Sequence, residues 1–318
     1  MNSATHEIAA VVAPESSTVT LCIATYRRAE RLAALLQDLT RQSRVPDEVV
    51  IVDNDADASA RGVVEERRRL GAPYPIRYAV QPQQNISMTR NATVELASGE
   101  WLAFIDDDER APQHWLAQLM NAAERYGADG ILGPVDPVVP ASAPDWIRRG
   151  RFYEFPRMAS GTQVPPNRLR FGNVLVRATW LRGARQPFDP ELGLTGGEDG
   201  DLLSRLVQQG ARIFWCDEAV VSEPVEPSRL SLSWLLRRAL TGGRNFARHA
   251  LDGRYGRMNF AKRVEFFIVS LAKVGIAAAM ALLTWPLGRH HAAKWLAALW
   301  ANFGKLSAYW GSRYRQYT

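Results

Sequence analysis

Three consecutive aspartates, Asp106-Asp107-Asp108, followed by Glu109, close the apolar, aromatic-rich stretch Trp101-Leu102-Ala103-Phe104-Ile105. Adjacent carboxylates repel one another, so folding alone does not favour such a cluster. A hard divalent cation, Mg2+ or Mn2+, relieves the repulsion, because these ions take oxygen ligands and join one or two carboxylates to phosphate oxygens. The chemistry implied is metal-assisted handling of a diphosphate. The competing reading is a solvated turn whose aspartates cap the helix that opens near Pro112. The triplet alone allows both.

A second acidic group follows at Gly197-Glu198-Asp199-Gly200-Asp201. Leu202, Leu203 and Leu206 continue it at helical spacing, so the acids open a helix. Carboxylates in a first turn are favoured by the helix dipole, which gives a bland explanation. The chemical explanation is that one of them points into a cleft and takes a proton from a hydroxyl nucleophile. A third group, Thr25-Tyr26-Arg27 and Asp53-Asn54-Asp55, has the donors and acceptors for a base-and-ribose pocket, Asp53 accepting from an imide N–H or from ribose hydroxyls. Ordinary turn chemistry explains Asp53 and Asp55 equally well when they are taken alone. These two strand-end groups together with Asp106–Asp108 make three along one rim, and the three together favour a nucleotide site.

The elements that must position these residues alternate regularly. Residues 18–25 and 48–53 are apolar, β-branched runs, as expected for strands buried on both faces. Residues 75–80 give a third strand and 101–105 a fourth. Helical patterns at 30–42, 58–70 and 87–97 separate them, and 115–126 follows. This order predicts an α/β fold with a parallel, doubly wound sheet and right-handed crossovers. Thr25-Tyr26-Arg27, Asp53-Asn54-Asp55 and Asp106-Asp107-Asp108 then fall at the carboxyl ends of strands, where open α/β sheets bind ligands. Residues 129–139 lead into a Pro-rich loop at 140–144. The irregular stretch 145–168 reads as a binding loop over the rim, and 169–176 as a further strand.

Composition narrows the function. The 318 residues suit one large α/β domain with an appendage, or two domains. Cys22 and Cys216, the only cysteines, sit in apolar runs and read as buried thiols of a reducing compartment. The five histidines have no ligand spacing. Residues 229–318 carry 15 Lys+Arg against two acids, a balance of +13, so the remainder sums to −7 within the overall +6. That asymmetry argues for an acidic catalytic body with a basic tail and against a nucleic-acid binder. Neither a G-x-G-x-x-G turn after the first strand nor a P-loop occurs, which speaks against dinucleotide and P-loop enzymes. Residues 1–17 read as a disordered leader without a signal peptide.

Residues 230–318 read as helices. The stretch 266–287 is mostly apolar but interrupted by Lys273. Spanning a bilayer needs about 20 apolar residues, and a central lysine costs roughly 3 kcal/mol on insertion scales. A spanning helix is therefore not the favoured reading. Trp295, Leu296, Leu299, Trp300, Phe303, Leu306, Tyr309 and Trp310, with Lys294, Lys305 and Arg313 among them, suit a helix lying in the interface of an anionic membrane.

Taken in order, these motifs resemble those of the inverting family 2 glycosyltransferases of GT-A fold, over roughly residues 18–225. The matching residues are Ala24-Thr25-Tyr26-Arg27, Ile51-Val52-Asp53-Asn54, Asn85-Ile86-Ser87 through Arg90-Asn91-Ala92, the D-x-D triplet Asp106-Asp107-Asp108, and Gly197-Glu198-Asp199 with Asp201, Leu202 and Arg205. Within the family, the chain is most similar to bacterial exopolysaccharide glucosyltransferases of the succinoglycan type. The resemblance implies a nucleotide-sugar donor, with UDP expected, held by Thr25, Tyr26, Arg27, Asp53 and Asp55, with Arg90 near the diphosphate. It implies Asp106 and Asp107 at the ribose or donor sugar, Mg2+ or Mn2+ on Asp108 with Asp106, Asp199 as general base, and Glu198 placing the acceptor. The acceptor implied is a saccharide or lipid-linked saccharide, at the cytoplasmic face of the plasma membrane. The Q-x-x-R-W motif of processive synthases is absent; Ser233-Trp234-Leu235-Leu236-Arg237-Arg238 stands in its place, so one sugar is expected per event. Arg237, Arg238 and Arg244 are available to the diphosphate or form a solvated basic helix. The rival functions are transfer to a polyprenyl phosphate and a non-catalytic nucleotide-binding membrane adaptor.

Overall fold

A computed structural model describes residues 17–310, so the expected leader lies outside the described residues except for its last position. Strands β1 (Val19–Thr25), β2 (Glu48–Asp53), β3 (Ile76–Val80) and β4 (Trp101–Phe104) pair in parallel in the order β3-β2-β1-β4. Side chains alternate between two core layers with the period of a strand. Leu21, Ile23, Val49, Ile51 and Ala103 face one layer, closed by α1 (Ala29–Leu39), α2 (Arg61–Arg69) and α4 (Trp115–Arg125). Cys22, Val50, Val52, Leu102 and Phe104 face the other, closed by α3 (Ile86–Leu96), α6 (Thr179–Arg182) and α7 (Glu198–Gln208). Helices on both faces explain why β2 is buried at every position.

The sheet continues as β7 (Val174–Arg177), β5 (Gly130–Leu132) and β8 (Ile213–Trp215), with β5 and β8 parallel to each other. β7 runs antiparallel to both β4 and β5, so the sheet is mostly parallel, and β7 is shorter than the strand expected at 169–176. Asn173 fixes this reversal. Its Oδ1 accepts from Trp115 Nε1 at 2.8 Å, and its Nδ2 donates to the carbonyls of Pro134 and Ala219 at 3.0 and 2.6 Å. β6 (Val135–Val138) and β9 (Val221–Pro224) form a separate parallel pair. The stretch 145–168 does not arch over the rim throughout: its opening helix α5 (Asp145–Gly150) packs on the C-terminal helices, and Tyr153 Oη donates to Arg229 O at 2.8 Å.

Those helices are α8 (Leu232–Leu251), α9 (Phe260–Thr284) and α10 (Arg289–Ser307). Ser231 Oγ and Asn259 Oδ1 cap the first two. α10 packs along both α8 and α9. It approaches α8 so closely that a Cβ on Gly243 would strike Ala301 O and one on Gly304 would strike Leu240 O. The helix expected to lie in a membrane interface is thus held between its neighbours, with Trp295, Leu296, Leu299 and Trp300 half-buried. The outward apolar face belongs to α9. Ser270, Ala277, Ala281 and Thr284 form its narrow buried seam, while Ile268, Leu271, Ile276, Leu282 and Leu283 are exposed. With the turn that follows, α9 makes a helical stretch of 28 residues whose most apolar 18-residue segment has a mean hydropathy of 2.2, long and apolar enough to cross a membrane. Lys273 is exposed on α9, and its charge, after the larger effect of burial, lowers the pKa of Lys305 of α10.

Candidate active site

β1 pairs with β2 on one side and β4 on the other, so chain order reverses there and the carboxyl ends of the three strands form a crevice. Thr25 ends β1, and its Oγ1 donates to Asp107 Oδ2 at 2.7 Å. Arg28 Nη1 donates to Asp107 Oδ1 at 3.0 Å and to Asp108 Oδ2 at 2.8 Å. Two more guanidiniums approach that same Asp108 oxygen, Arg31 at 3.7 Å and Arg229 at 3.9 Å. Burial and the Asp106 charge nevertheless push the Asp108 carboxyl up to about 7, against the pull of Arg28. Burial likewise raises Asp107. Glu109, buried beneath the turn, is held well above the usual carboxylate range by burial and by Asp106, and accepts from Asp106 N at 3.1 Å. Gly172, at φ 112°, lets the chain pass here, since a Cβ would stand 2.8 Å from Glu109 Oε1.

The donor set suits a hard cation shared with a ligand better than a closed protein cage. Among the described residues no cluster of three or more His, Cys, Asp or Glu forms a metal cage. Asp106, with its side chain 46% exposed, and Asp108 beside it offer two carboxylates. Mg2+ and Mn2+ bind in this way when phosphates complete the shell.

At the end of β2 the structure separates Asp53 from Asp55. Asp53 is fully enclosed, and its oxygens accept from Asp55 N at 3.0 Å, Ala60 N at 2.8 Å and Tyr78 Oη at 2.9 Å. It holds the turn into α2 and is withdrawn from the rim, because those bonds and the overlying chain leave it no open side. Asp55 accepts from Arg27 Nε and Nη2 at 3.1 and 3.3 Å, and that forked contact holds its carboxyl below the usual range. Arg27 takes a left-handed backbone, φ 53°, and lies 5.1 Å from the centre of the exposed Tyr26 ring. Such a conformation costs a non-glycine residue of order 1 kcal/mol and is typical of ligand-contacting turns.

The polar residues of α3 serve mainly to deliver α7. Asn85 caps α3 by accepting from Met88 N and donates to Pro190 O at 2.9 Å. Asn91 exchanges two hydrogen bonds with the backbone of Phe188, at 2.7 and 2.8 Å. They pin the loop at 187–195, from which Gly196 and Gly197 turn into α7. Arg90 stands beneath the rim rather than on it, with 10% of its side chain exposed. Its Nη1 donates to Glu198 Oε1 at 2.7 Å and its Nη2 to Asp106 Oδ1 at 3.2 Å, while its face lies over Phe171 at 4.7 Å. Burial, then Asp199, pushes the Glu198 carboxyl up to about 7 against the pull of Arg90. Asp199 is half-exposed at the start of α7, its Oδ1 accepting from Gly200 N at 2.7 Å.

The chain as a whole is similar to known proteins. The family model for Glycosyl transferase family 2 matches residues 20–192, more than half of the chain. The chain belongs to the family 2 glycosyltransferases. This glycosyltransferase is 36% identical over 282 residues to the succinoglycan biosynthesis protein ExoM of Rhizobium meliloti, covering 86% of each chain. It is 30% identical over 220 residues to the galactofuranosyltransferase GlfT1 of Mycobacterium tuberculosis, covering 64% of this chain and 68% of that one. Among solved structures, the mannosyltransferase PcManGT of Pyrobaculum calidifontis, in complex with GDP-Man and Mn2+, superposes with a TM-score of 0.63 at 15% identity, over 94% of this chain and 89% of the other. S. aureus TarS 1-349 in complex with UDP gives 0.53 at 18% identity over 94% and 93%. At these identities the structural likeness establishes the GT-A fold.

The glycosyltransferase gathers Thr25, Asp106, Asp107, Asp108, Arg90 and Glu198 into one connected set. Tyr26, Arg27 and Asp55 stand at the neighbouring strand end. Arg31, Arg229, Phe171 and Phe188 had no signal in the sequence, because only the fold brings them to the acids. Arg28 directly follows Thr25-Tyr26-Arg27, but only the fold brings it to Asp107 and Asp108. Of the tail arginines considered for the diphosphate, Arg237 and Arg238 are exposed on α8, and Arg238 lies over Trp234.

Proposed function

We propose that this glycosyltransferase moves a sugar from a nucleotide sugar, most naturally UDP-linked, to a hydroxyl of a lipid-linked or oligosaccharide acceptor, with inversion and with Mg2+ or Mn2+. The observation that carries this reading is the Arg90 bridge: one buried guanidinium binds Asp106 of the D-x-D turn and Glu198 of the second acidic motif. It sets a fixed distance between a donor side and an acceptor side.

The geometry supports the following assignment of roles. Tyr26, Arg27 and Asp55 face the nucleoside, and Thr25 holds Asp107 in place beside it. Arg28, Arg31 and Arg229 offer positive charge to the diphosphate. A divalent cation on Asp108 and Asp106 would supply counter-charge to the departing nucleoside diphosphate. Asp199, whose carboxylate is less enclosed than that of Glu198, takes the proton of the acceptor hydroxyl. Glu198 fixes the acceptor from its tether on Arg90. One displacement from the face opposite the leaving group inverts the anomeric centre through an oxocarbenium-like state.

The setting is the cytoplasmic face of a membrane in exopolysaccharide or cell-envelope assembly. The likeness to a succinoglycan biosynthesis protein over most of the chain supports the pathway class. The free buried thiols Cys22 and Cys216 suit a reducing compartment. The exposed apolar face of α9, flanked by Arg257, Lys262 and Arg263 before it and by Arg289 and Lys294 after it, supports a helix lying in an anionic surface. Incubation with a panel of nucleotide sugars and Mn2+, with product analysis by NMR, tests the assignment. An inverted sugar–sugar bond is expected. A sugar–phosphate bond would indicate a polyprenyl-phosphate enzyme, and a retained configuration or no turnover of any donor would overturn the reading.

A further inference from the structure

The first helix of the tail is built into the acidic turn. Gly196 and Gly197 both have left-handed backbones, φ 75° and 96°, and carry no side chains with which to brace themselves. The bracing comes from α8. Arg248 Nη2 donates to Gly196 O at 2.9 Å. A Cβ on Gly197 would stand 3.3 Å from Arg248 Nη2, 3.4 Å from Asn245 Nδ2 and 3.4 Å from His249 Nε2. Gly200, two residues into α7, faces the same imidazole, with His249 Cε1 3.2 Å from where its Cβ would lie.

Two more features mark this contact as more than packing. His249 is buried and its Nε2 has no hydrogen-bond partner, although buried ring nitrogens are ordinarily satisfied. Its Nδ1 lies 3.4 Å from Tyr255 Oη, and burial, then the Arg248 charge, lowers its pKa against smaller opposing effects of Asp201 and Asp199. The segment after α8 also fastens α7 further along. Arg254 Nε meets Asp201 Oδ1 at 2.7 Å, and Gln208 Nε2 donates to Gly253 O and Arg254 O at 2.9 and 3.0 Å.

We propose that Arg248 and His249 are positioning residues for glycosyl transfer, holding the Gly196–Gly197 turn so that Asp199 meets the acceptor hydroxyl. The proposal rests on Asp199 being the base. It places α8, the first helix of the basic tail, within the catalytic unit.

The test uses full-length variants in pairs. Arg248→Gln and His249→Phe remove the polar tips at similar volume. Arg248→Lys keeps a cation, and His249→Gln keeps an N–H at the reach of Nε2. Misplacement of a reacting group by a fraction of an ångström lowers turnover, so kcat should fall about ten-fold in the first pair and recover to within about three-fold of wild type in the second. Affinity for Mn2+-UDP by calorimetry should be unchanged. If His249→Phe does not fold, Asn245→Ala tests the same turn from a half-buried position. Unchanged kcat in Arg248→Gln together with His249→Phe or Asn245→Ala overturns the proposal, as does a parallel loss of Mn2+-UDP affinity. An active Asp199→Asn variant would instead remove the base assignment. An inactive Asp199→Asn with normal α8 variants would remove only the positioning role.

Discussion

Arg90 and Glu198, 108 residues apart in sequence, share a 2.7 Å ion pair beneath the rim of the sheet. The same guanidinium reaches Asp106 at 3.2 Å, so the two acidic motifs cannot drift apart independently. A buried ion pair adds little to stability as a pair, but removing one partner leaves the other charge buried alone.

Arg90→Met should therefore destabilise the protein by about 3 kcal/mol, with Glu198 neutralised by a proton in the folded state. Urea unfolding measures the loss. Adding Glu198→Met to Arg90→Met should return part of it. A single-variant loss below about 0.5 kcal/mol, the scale of an ordinary surface change, would show that the pair is not enclosed in solution.

Glu48 gives a pH-dependent prediction far from the site. Its Oε1 accepts from Thr20 Oγ1 at 2.7 Å and from Ser98 N and Oγ at 2.5 and 2.7 Å, and its Oε2 meets Arg77 at 3.0 Å. Burial raises its pKa, but these hydrogen bonds and Arg77 outweigh burial and hold it below the usual value of 4.5. A depressed carboxyl stabilises the fold fully above its unfolded pKa and loses that contribution as pH falls through the folded one. Glu48→Gln should thus be less stable than wild type at pH 7, and the gap should narrow below about pH 4. Chemical denaturation at the two pH values measures it. A gap that is constant with pH would contradict the assignment.

What the sequence reveals here depends on the range of the interactions. β1, β2 and β4 were legible because strands buried on both faces must be continuously apolar. The helix at Glu198 was legible because Leu202, Leu203 and Leu206 mark its buried side. The direction of β7 was not, since three apolar residues read alike in either direction and the reversal depends on Asn173 meeting Trp115, Pro134 and Ala219. β8 and β9, of three and four residues, are too short to carry a period. Asp53 had the right type and place for a ligand contact, but Ala60 and Tyr78 take its oxygens. Likewise α10 has the aromatic and basic pattern of an interfacial helix, yet Gly243 and Gly304 bring it against α8 and leave α9 facing outward.

The face of α9 predicts a membrane phenotype separable from folding. Ile268 and Ile276 are both 57% exposed, so Ile268→Glu with Ile276→Glu should change stability by no more than about 0.5 kcal/mol per site. Flotation with phosphatidylglycerol-containing vesicles should fall sharply in the double variant. Undiminished flotation would place the membrane contact elsewhere, and a change from dimer to monomer by light scattering would assign the face to a second copy of the chain.

Asp108→Ala should remove the metal dependence of nucleoside diphosphate binding, because Asp106 alone is a weak ligand. Calorimetric titration of UDP with and without Mn2+ reads this directly. Equal enhancement by Mn2+ in wild type and variant would exclude Asp108 from the metal site.

The central claim, that Asp199 is the base and Glu198 its neighbour tied to Arg90, is tested most directly by Asp199→Asn. The substitution keeps shape and hydrogen-bonding capacity and removes the basic carboxylate. Mn2+-UDP affinity should stay within about three-fold of wild type, while kcat should fall about 100-fold or more, the scale of general acid–base catalysis. Near-normal kcat in Asp199→Asn would contradict the claim, and an inactive Glu198→Gln beside it would reassign the base to Glu198.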